Sequence, residues 1–153
     1  MALVLSSSVF RDQEQIPRKY TGDGADLSPP LSWEGVPENA KGLVLICDDP
    51  DAPAGTWDHW ILYDITPGAT NLEEGIPSGE VVPGIGKQGR NDFGNLSYGG
   101  PAPPRGKPHR YFFRLFAVDA PTGLRPGATK DEVLSAIKDH TLAKTELVGL
   151  YSR

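Results

Sequence analysis

Five side chains in this sequence have the types and spacing to do chemistry together: Asp49, Asp51, His59, His109 and Tyr111. The two carboxylates lie in Asp48-Asp49-Pro50-Asp51-Ala52-Pro53, where prolines that cannot join a strand ladder make a stiff turn after an apolar run. His59 sits eight residues beyond Asp51 in Trp57-Asp58-His59-Trp60. His109 closes a long Gly/Pro-rich segment, and Tyr111, two residues on, shares its face of an extended chain. If the strands that carry them are neighbours, two carboxylates, two imidazoles and a phenol converge. A carboxylate within about 4–6 Å of an imidazole favours its charged form. Two imidazolium groups and a phenol could then donate to the oxygens of a phosphate-like anion. The expectation is a small anion pocket in which Asp49 and Asp51 orient and charge both histidines. Its affinity should weaken as pH rises through the histidine range.

The same residues permit other chemistry. An imidazole oriented by a carboxylate can act as a general base, which would make a weak hydrolase. No residue is marked as an activated nucleophile, and Ser97 has only its place in the long loop to recommend it. Two Asp and two His are the right types for zinc, but their spacing matches no ligand pattern. A non-catalytic binding protein without metal or cofactor is therefore expected. Each residue also has a plainer role: an Asp in a Pro-flanked turn commonly caps its own backbone. His140 reads as a partly exposed cation at a helix C-terminus. Gly84-Ile-Gly86-Lys-Gln-Gly89 matches a dinucleotide fingerprint in letters only, because no strand–helix context surrounds it. The sequon at Asn95 has no meaning without a secretory route.

The elements that must position these residues are mainly strands. Leu3 to Phe10 reads as an opening strand and Leu31 to Trp33 as a short one. Gly42 to Asp48 reads as a buried central strand, being apolar and branched throughout. Trp57 to Ile65 follows, and a strict period of two would put Trp57, His59, Ile61, Tyr63 and Ile65 on one face. Pro67 to Val82 reads as loop with room for one short element, and Pro83 to Pro108 as loop. A loop as long as the second is uncommon in a compact domain unless it is functional or disordered. Arg110 to Asp119 is apolar on both faces and so central. Thr129-Lys-Asp-Glu132 is a capping box that opens a helix with Val133, Leu134 and Ile137 as its apolar stripe. Thr145 to Tyr151 would be a last strand.

Composition bounds these readings. The 153 residues suit one domain spanning 1–153, and 18 Gly plus 15 Pro exclude a helical bundle, since both residues break long helices. A net charge of −5 argues against nucleic acid as a partner, which needs clustered Lys and Arg. The longest apolar run, Leu43 to Cys47, is too short for a transmembrane segment. A start without basic residues and a lone cysteine, Cys47, are what a cytoplasmic protein would show.

Several of these segments together resemble the phosphatidylethanolamine-binding protein family, also called the Raf kinase inhibitor family, and particularly its bacterial and archaeal branch. Asp49-Pro50-Asp51-Ala52-Pro53 resembles one signature. Gly99-Gly100-Pro101-Ala-Pro103-Pro104 with His109-Arg110-Tyr111 resembles the other. Tyr20-Thr-Gly-Asp-Gly, Ser28-Pro-Pro-Leu-Ser-Trp33, Trp57-Asp-His59-Trp60 and Gly89-Arg-Asn-Asp-Phe-Gly94 match as well. The resemblance implies a Greek-key β-sandwich with one or two short helices. It implies a pocket that accepts phosphate-like anions or phospholipid head groups, built from Asp49, Asp51, His59, His109 and Tyr111 with Gly100 and Pro101 on its rim. It also implies a homodimer and possible protein partners, a kinase or a serine protease, the latter inhibited through rigid loops. Two departures stand out. Asp58-His59 replaces the His-His common in the eukaryotic branch, and the chain stops at Arg153, short of the helix that flanks the eukaryotic pocket.

Overall fold

The computed structural model describes residues 1–153. In chain order its strands are β1 (Val4–Ser6), β2 (Glu14–Gln15), β3 (Leu31–Glu34), β4 (Gly42–Asp49), β5 (Trp57–Ile65), β6 (Asn71–Leu72), β7 (Val81–Val82), β8 (Gly86–Gln88), β9 (His109–Val118) and β10 (Thr141–Tyr151). The helix α1 covers Lys130–Ile137 between β9 and β10. One sheet has the order β1-β3-β6 and the other β2-β10-β9-β4-β5-β8-β7. β9 enters beside β4 rather than beside β8, the non-sequential neighbour that defines a Greek-key sandwich. The expected mainly β fold is thus what forms.

Why β4 is buried at every position follows from its two faces. Leu43, Leu45 and Cys47 join the core between the sheets, with Leu5, Trp33, Leu62 and Phe113. Val44 and Ile46 face the other way, into a smaller cluster closed by Val133 and Ile137 of α1. Each of those helix residues contributes about 2 kcal/mol by burial. The capping box is present, with Thr129 Oγ1 accepting from Glu132 N (3.3 Å) and Glu132 Oε1 accepting from Thr129 N (3.1 Å). It is worth about 1 kcal/mol.

Four expectations need correction. The opening strand is only Val4–Ser6, because the chain bends at Ser8–Val9 and Phe10 enters the core. The last strand begins at Thr141, four residues early, and pairs along β9 with one irregularity before Ala143. Within the long Gly/Pro segment, Gly86–Gln88 adds a strand to β5. Gln88 there is fully buried and accepts from Trp60 Nε1 at 2.9 Å. Finally, β5 has the expected bounds but not a single face, because it is bulged. Cys47 pairs with Trp60 and Asp48 with Asp58, which leaves His59 as an extra residue. A bulge re-aims side chains. Trp57 and His59 therefore open on the end of the sandwich, while Ile61 and Tyr63 pack under α1.

Candidate ligand pocket

The end of β4 and the starts of β5 and β9 meet at one end of the sandwich and enclose a cavity of about 200 Å³. That is below the size of most drug-sized ligand sites. Asp49, His59, His109 and Tyr111 line it, as expected, together with Ala52, Pro53, Trp57, Phe93 and Ala102–Pro104. The apolar part of this wall was not foreseen. The only signal for it was the length and rigidity of the Gly/Pro segment that supplies most of it.

Asp49 and His109 form the tightest pair. His109 Nδ1 donates to Asp49 Oδ2 at 2.7 Å, and the second carboxylate oxygen accepts from Asp51 N at 2.8 Å. Asp49 is therefore both an Asx-turn acceptor and the orienting partner of an imidazole. With Nδ1 committed, Nε2 is the free nitrogen of His109.

His59 is held differently. Its Nδ1 lies 2.6 Å from the Gly99 carbonyl, and Gly99 N donates back to the His59 carbonyl at 3.0 Å. A carbonyl can only accept, so Nδ1 carries the hydrogen and Nε2 is the free nitrogen. The close approach needs glycine, because a Cβ on Gly99 would lie 2.5 Å from the Phe93 ring. Burial lowers the His59 pKa below the ordinary histidine value, against the upward pull of the Gly99 hydrogen bond and the Asp49 charge. The expectation of two carboxylate-charged imidazoles is corrected here: His59 is buried more than it is charged.

Burial, with the Asp49 charge second, raises the Tyr111 phenol well above its ordinary value. It stays protonated and able to donate. The only solvent-sealed side-chain atoms without a well-formed hydrogen bond are Asp58 Oδ1 and Arg114 Nε. His59 Nε2, His109 Nε2 and the Tyr111 hydroxyl bond to no protein atom, so all three open on the cavity they line.

Three predicted site residues lie outside the wall. Asp51 accepts from Arg110 N, Nε and Nη2, each at 2.9 Å, and the guanidinium holds its pKa down at about 2. It ties the Pro-flanked turn to β9. Gly100 N donates to Asp26 Oδ1 at 2.7 Å, and a Cβ there would collide with that oxygen. The Pro101 carbonyl accepts from Gly22 N at 2.8 Å. Both seat the segment whose next residues, Ala102–Pro104, form the wall. Ser97 is not a lining residue. Its carbonyl accepts from the buried Asn91 side chain at 2.7 Å, which shapes the loop presenting Phe93.

Beside the cavity lies a broader hollow of about 630 Å³, lined by Arg18, Asp23, Arg105, Tyr151, Ser152 and Arg153. The two adjoin, since Arg105 follows Pro104 and Tyr151 pairs with His109 across β10 and β9.

A Greek-key sandwich with one small polar-floored pocket at a strand end defines a class of ligand-binding domain. This chain belongs to the phosphatidylethanolamine-binding protein family, whose model matches residues 6–152. It is 52% identical to a UPF0098 protein of Methanothermobacter thermautotrophicus over 149 residues, covering 97% of this chain and 98% of that one. A UPF0098 protein of Aquifex aeolicus is 50% identical over 149 residues, covering 96% and 86%. The crystal structure of a phosphatidylethanolamine-binding protein homologue from Chlamydia trachomatis superposes with a TM-score of 0.90 at 39% identity, covering 99% of this chain and 98% of that one. Escherichia coli YbcL, described as a member of the mammalian family, gives 0.90 at 29% identity, covering 100% and 99%. No helix is long and apolar enough to cross a membrane.

Proposed function

We propose that the protein is a non-catalytic binding protein whose cavity receives a phosphate-like anionic group carried on a small organic molecule. The observation that carries this reading is the His109–Asp49 pair at 2.7 Å, with Nε2 of His109 open beside the Tyr111 hydroxyl. An imidazolium backed by a carboxylate donates a charge-assisted hydrogen bond, about twice as strong as a neutral one. The phenol supplies a second donor. Arg153 of the adjoining hollow is paired to Asp23 at 2.8 Å, and Arg18 and Arg105 there place further positive charge beside the mouth. Trp57 and Phe93, exposed and packed edge to face with centroids 5.5 Å apart, offer the organic part of the ligand an apolar rim. The wall holds no Ser, Thr, Cys or Lys to serve as a covalent nucleophile, which favours binding over turnover.

The test is a titration with phosphate and with phosphoethanolamine, following the imidazole resonances of His59 and His109 at several pH values. Both rings should shift on addition of either ligand. Rings that do not respond to either ligand would sink the reading.

A further inference from the structure

We propose that the open edge of β10 at Ala143–Leu147 docks the same edge of a second copy of this chain, joining the two large sheets across a two-fold axis centred on Thr145. The edge is open because β9 lies on one side of β10, while on the other β2 pairs only with Gly149 and Leu150. Even-numbered residues of β10 point their backbone groups away from β9. Val148 N donates to Asp12 Oδ1 at 2.8 Å, and the carbonyls of Val148 and Leu150 accept from Gln13 N at 2.7 Å and Ile16 N at 2.8 Å. Pairing with β9 is regular from Ala143 to Tyr151, so Lys144 and Glu146 point outward in the same way. Both residues are exposed, and their N–H and C=O groups bond to no protein atom.

An unpaired edge is a template for another strand unless charge or shape blunts it. The charges here select one register instead. An axis through Lys144 would set Lys144 against its own copy, and an axis through Glu146 would set Glu146 against its own. An axis one residue beyond Glu146 would pair it with Val148, whose backbone groups are already taken by Asp12 and Gln13. An axis through Thr145 places Lys144 opposite Glu146 of the second copy, and Glu146 opposite its Lys144. Both are hydrogen-bonded positions of an antiparallel ladder, where opposed residues exchange two bonds. Each Lys144 N–H then donates to a Glu146 carbonyl, and each Glu146 N–H to a Lys144 carbonyl, which satisfies every open group on the edge. The side chains of an opposed pair lie on one face, so each ammonium meets a carboxylate. Lys144 has no ionic partner within its own chain. Glu146 meets Arg114 Nη1 through Oε1 at 3.1 Å and keeps Oε2 free.

The free stretch is also bounded to this length. Gln13 closes it beyond Leu147, and the irregularity before Ala143 ends it on the other side. Thr145 lies six residues from Tyr151, about 20 Å along the strand, so the pairing leaves the cavity mouth clear and is independent of what the cavity binds.

The experiment is sedimentation velocity of the whole chain from about 1 to 500 μM, the range in which a small polar interface associates. Wild type should show a monomer–dimer equilibrium. Lys144→Glu and Glu146→Lys should each weaken it about tenfold or more, because two like-charge contacts replace two opposite ones. An equimolar mixture of the two variants should restore the dimer, since every opposed pair is then Glu against Lys. Glu146→Lys also sets a second cation beside Arg114, so thermal melts check its fold. Lys144→Pro leaves Arg114 alone and removes one outward N–H where an edge strand tolerates proline; it should also give monomer. In wild type, amide exchange at Lys144 and Glu146 should slow with rising protein concentration. A chain that stays monomeric over the range would overturn the proposal. So would a dimer indifferent to Lys144→Glu and Lys144→Pro, which would place the contact elsewhere, or folded variants whose mixture stays monomeric.

Discussion

Asp48 and Asp49 are neighbours on one strand with opposite surroundings. Asp49 points to the cavity and bonds an imidazole whose far nitrogen stays open. Asp48 points under α1 and is closed on all sides by fixed cations, Arg114 Nη2 at 3.1 Å and Lys130 Nζ at 3.5 Å. The bulge repeats the contrast one strand over. His59 opens on the cavity, while Asp58 lies 2.7 Å from the same Lys130. Charges on the helix side are paired with groups that cannot change protonation near neutrality and so serve to dock α1. Those on the cavity side are paired so as to leave donors and an acceptor free. Charge alone does not mark a functional residue; what distinguishes the two sides is whether a polar atom without a protein hydrogen bond opens on a cavity, as His59 Nε2 does, or is sealed in the packing, as Arg114 Nε is.

The strongest way to break that contrast is Lys130→Met. It would leave Asp58 and part of Asp48 buried without their cation and cost about 3 kcal/mol of stability. Denaturant unfolding should show this loss, with the folded variant still binding phosphate within about twofold. A variant that lost binding while keeping stability would invert the roles of the two sides. Asp49→Asn is the complementary change. It keeps an acceptor for Asp51 N but removes the charge behind His109, and phosphate affinity should fall about tenfold with little change in unfolding.

The pH dependence of stability sharpens the comparison further. The folded pKa of His59 lies below its unfolded value, so near the ordinary histidine pKa the unfolded chain takes up a proton that the folded chain refuses. Its contribution is fully present above about pH 6.5 and is lost as pH falls from there toward the lowered folded value. Asp51, held at about 2 by Arg110, loses its contribution only between the ordinary carboxylate pKa and about 2. Melts of wild type and His59→Asn from pH 5 to 8 should converge toward the acid end, and parallel curves would contradict the assignment. The smallest effect is expected at His140, whose Nδ1 meets Asp119 at 2.8 Å with both side chains more than two-fifths exposed. His140→Ala should alter stability by no more than about 0.5 kcal/mol.

The sequence alone determined the elements whose signals are local. The apolar run of β4, the two-sided β9, the bounds of β5 and the capping box of α1 are all written in adjacent residues, because alternation and capping act over a few positions. The family motifs likewise brought Asp49, His59, His109 and Tyr111 together before any coordinates. Only the tertiary structure decided what each of them does. Asp51 was legible as a carboxylate on a stiff turn, but its partner Arg110 is 59 residues away. Gly100 was legible as a motif residue, but its contact, Asp26, is 74 residues away. The bulge at His59 is set by the register with β4, and the tautomer of that ring by the carbonyl of Gly99, 40 residues on. Which nitrogen keeps a lone pair depends on the atom opposite it, and that atom is supplied by a distant part of the chain.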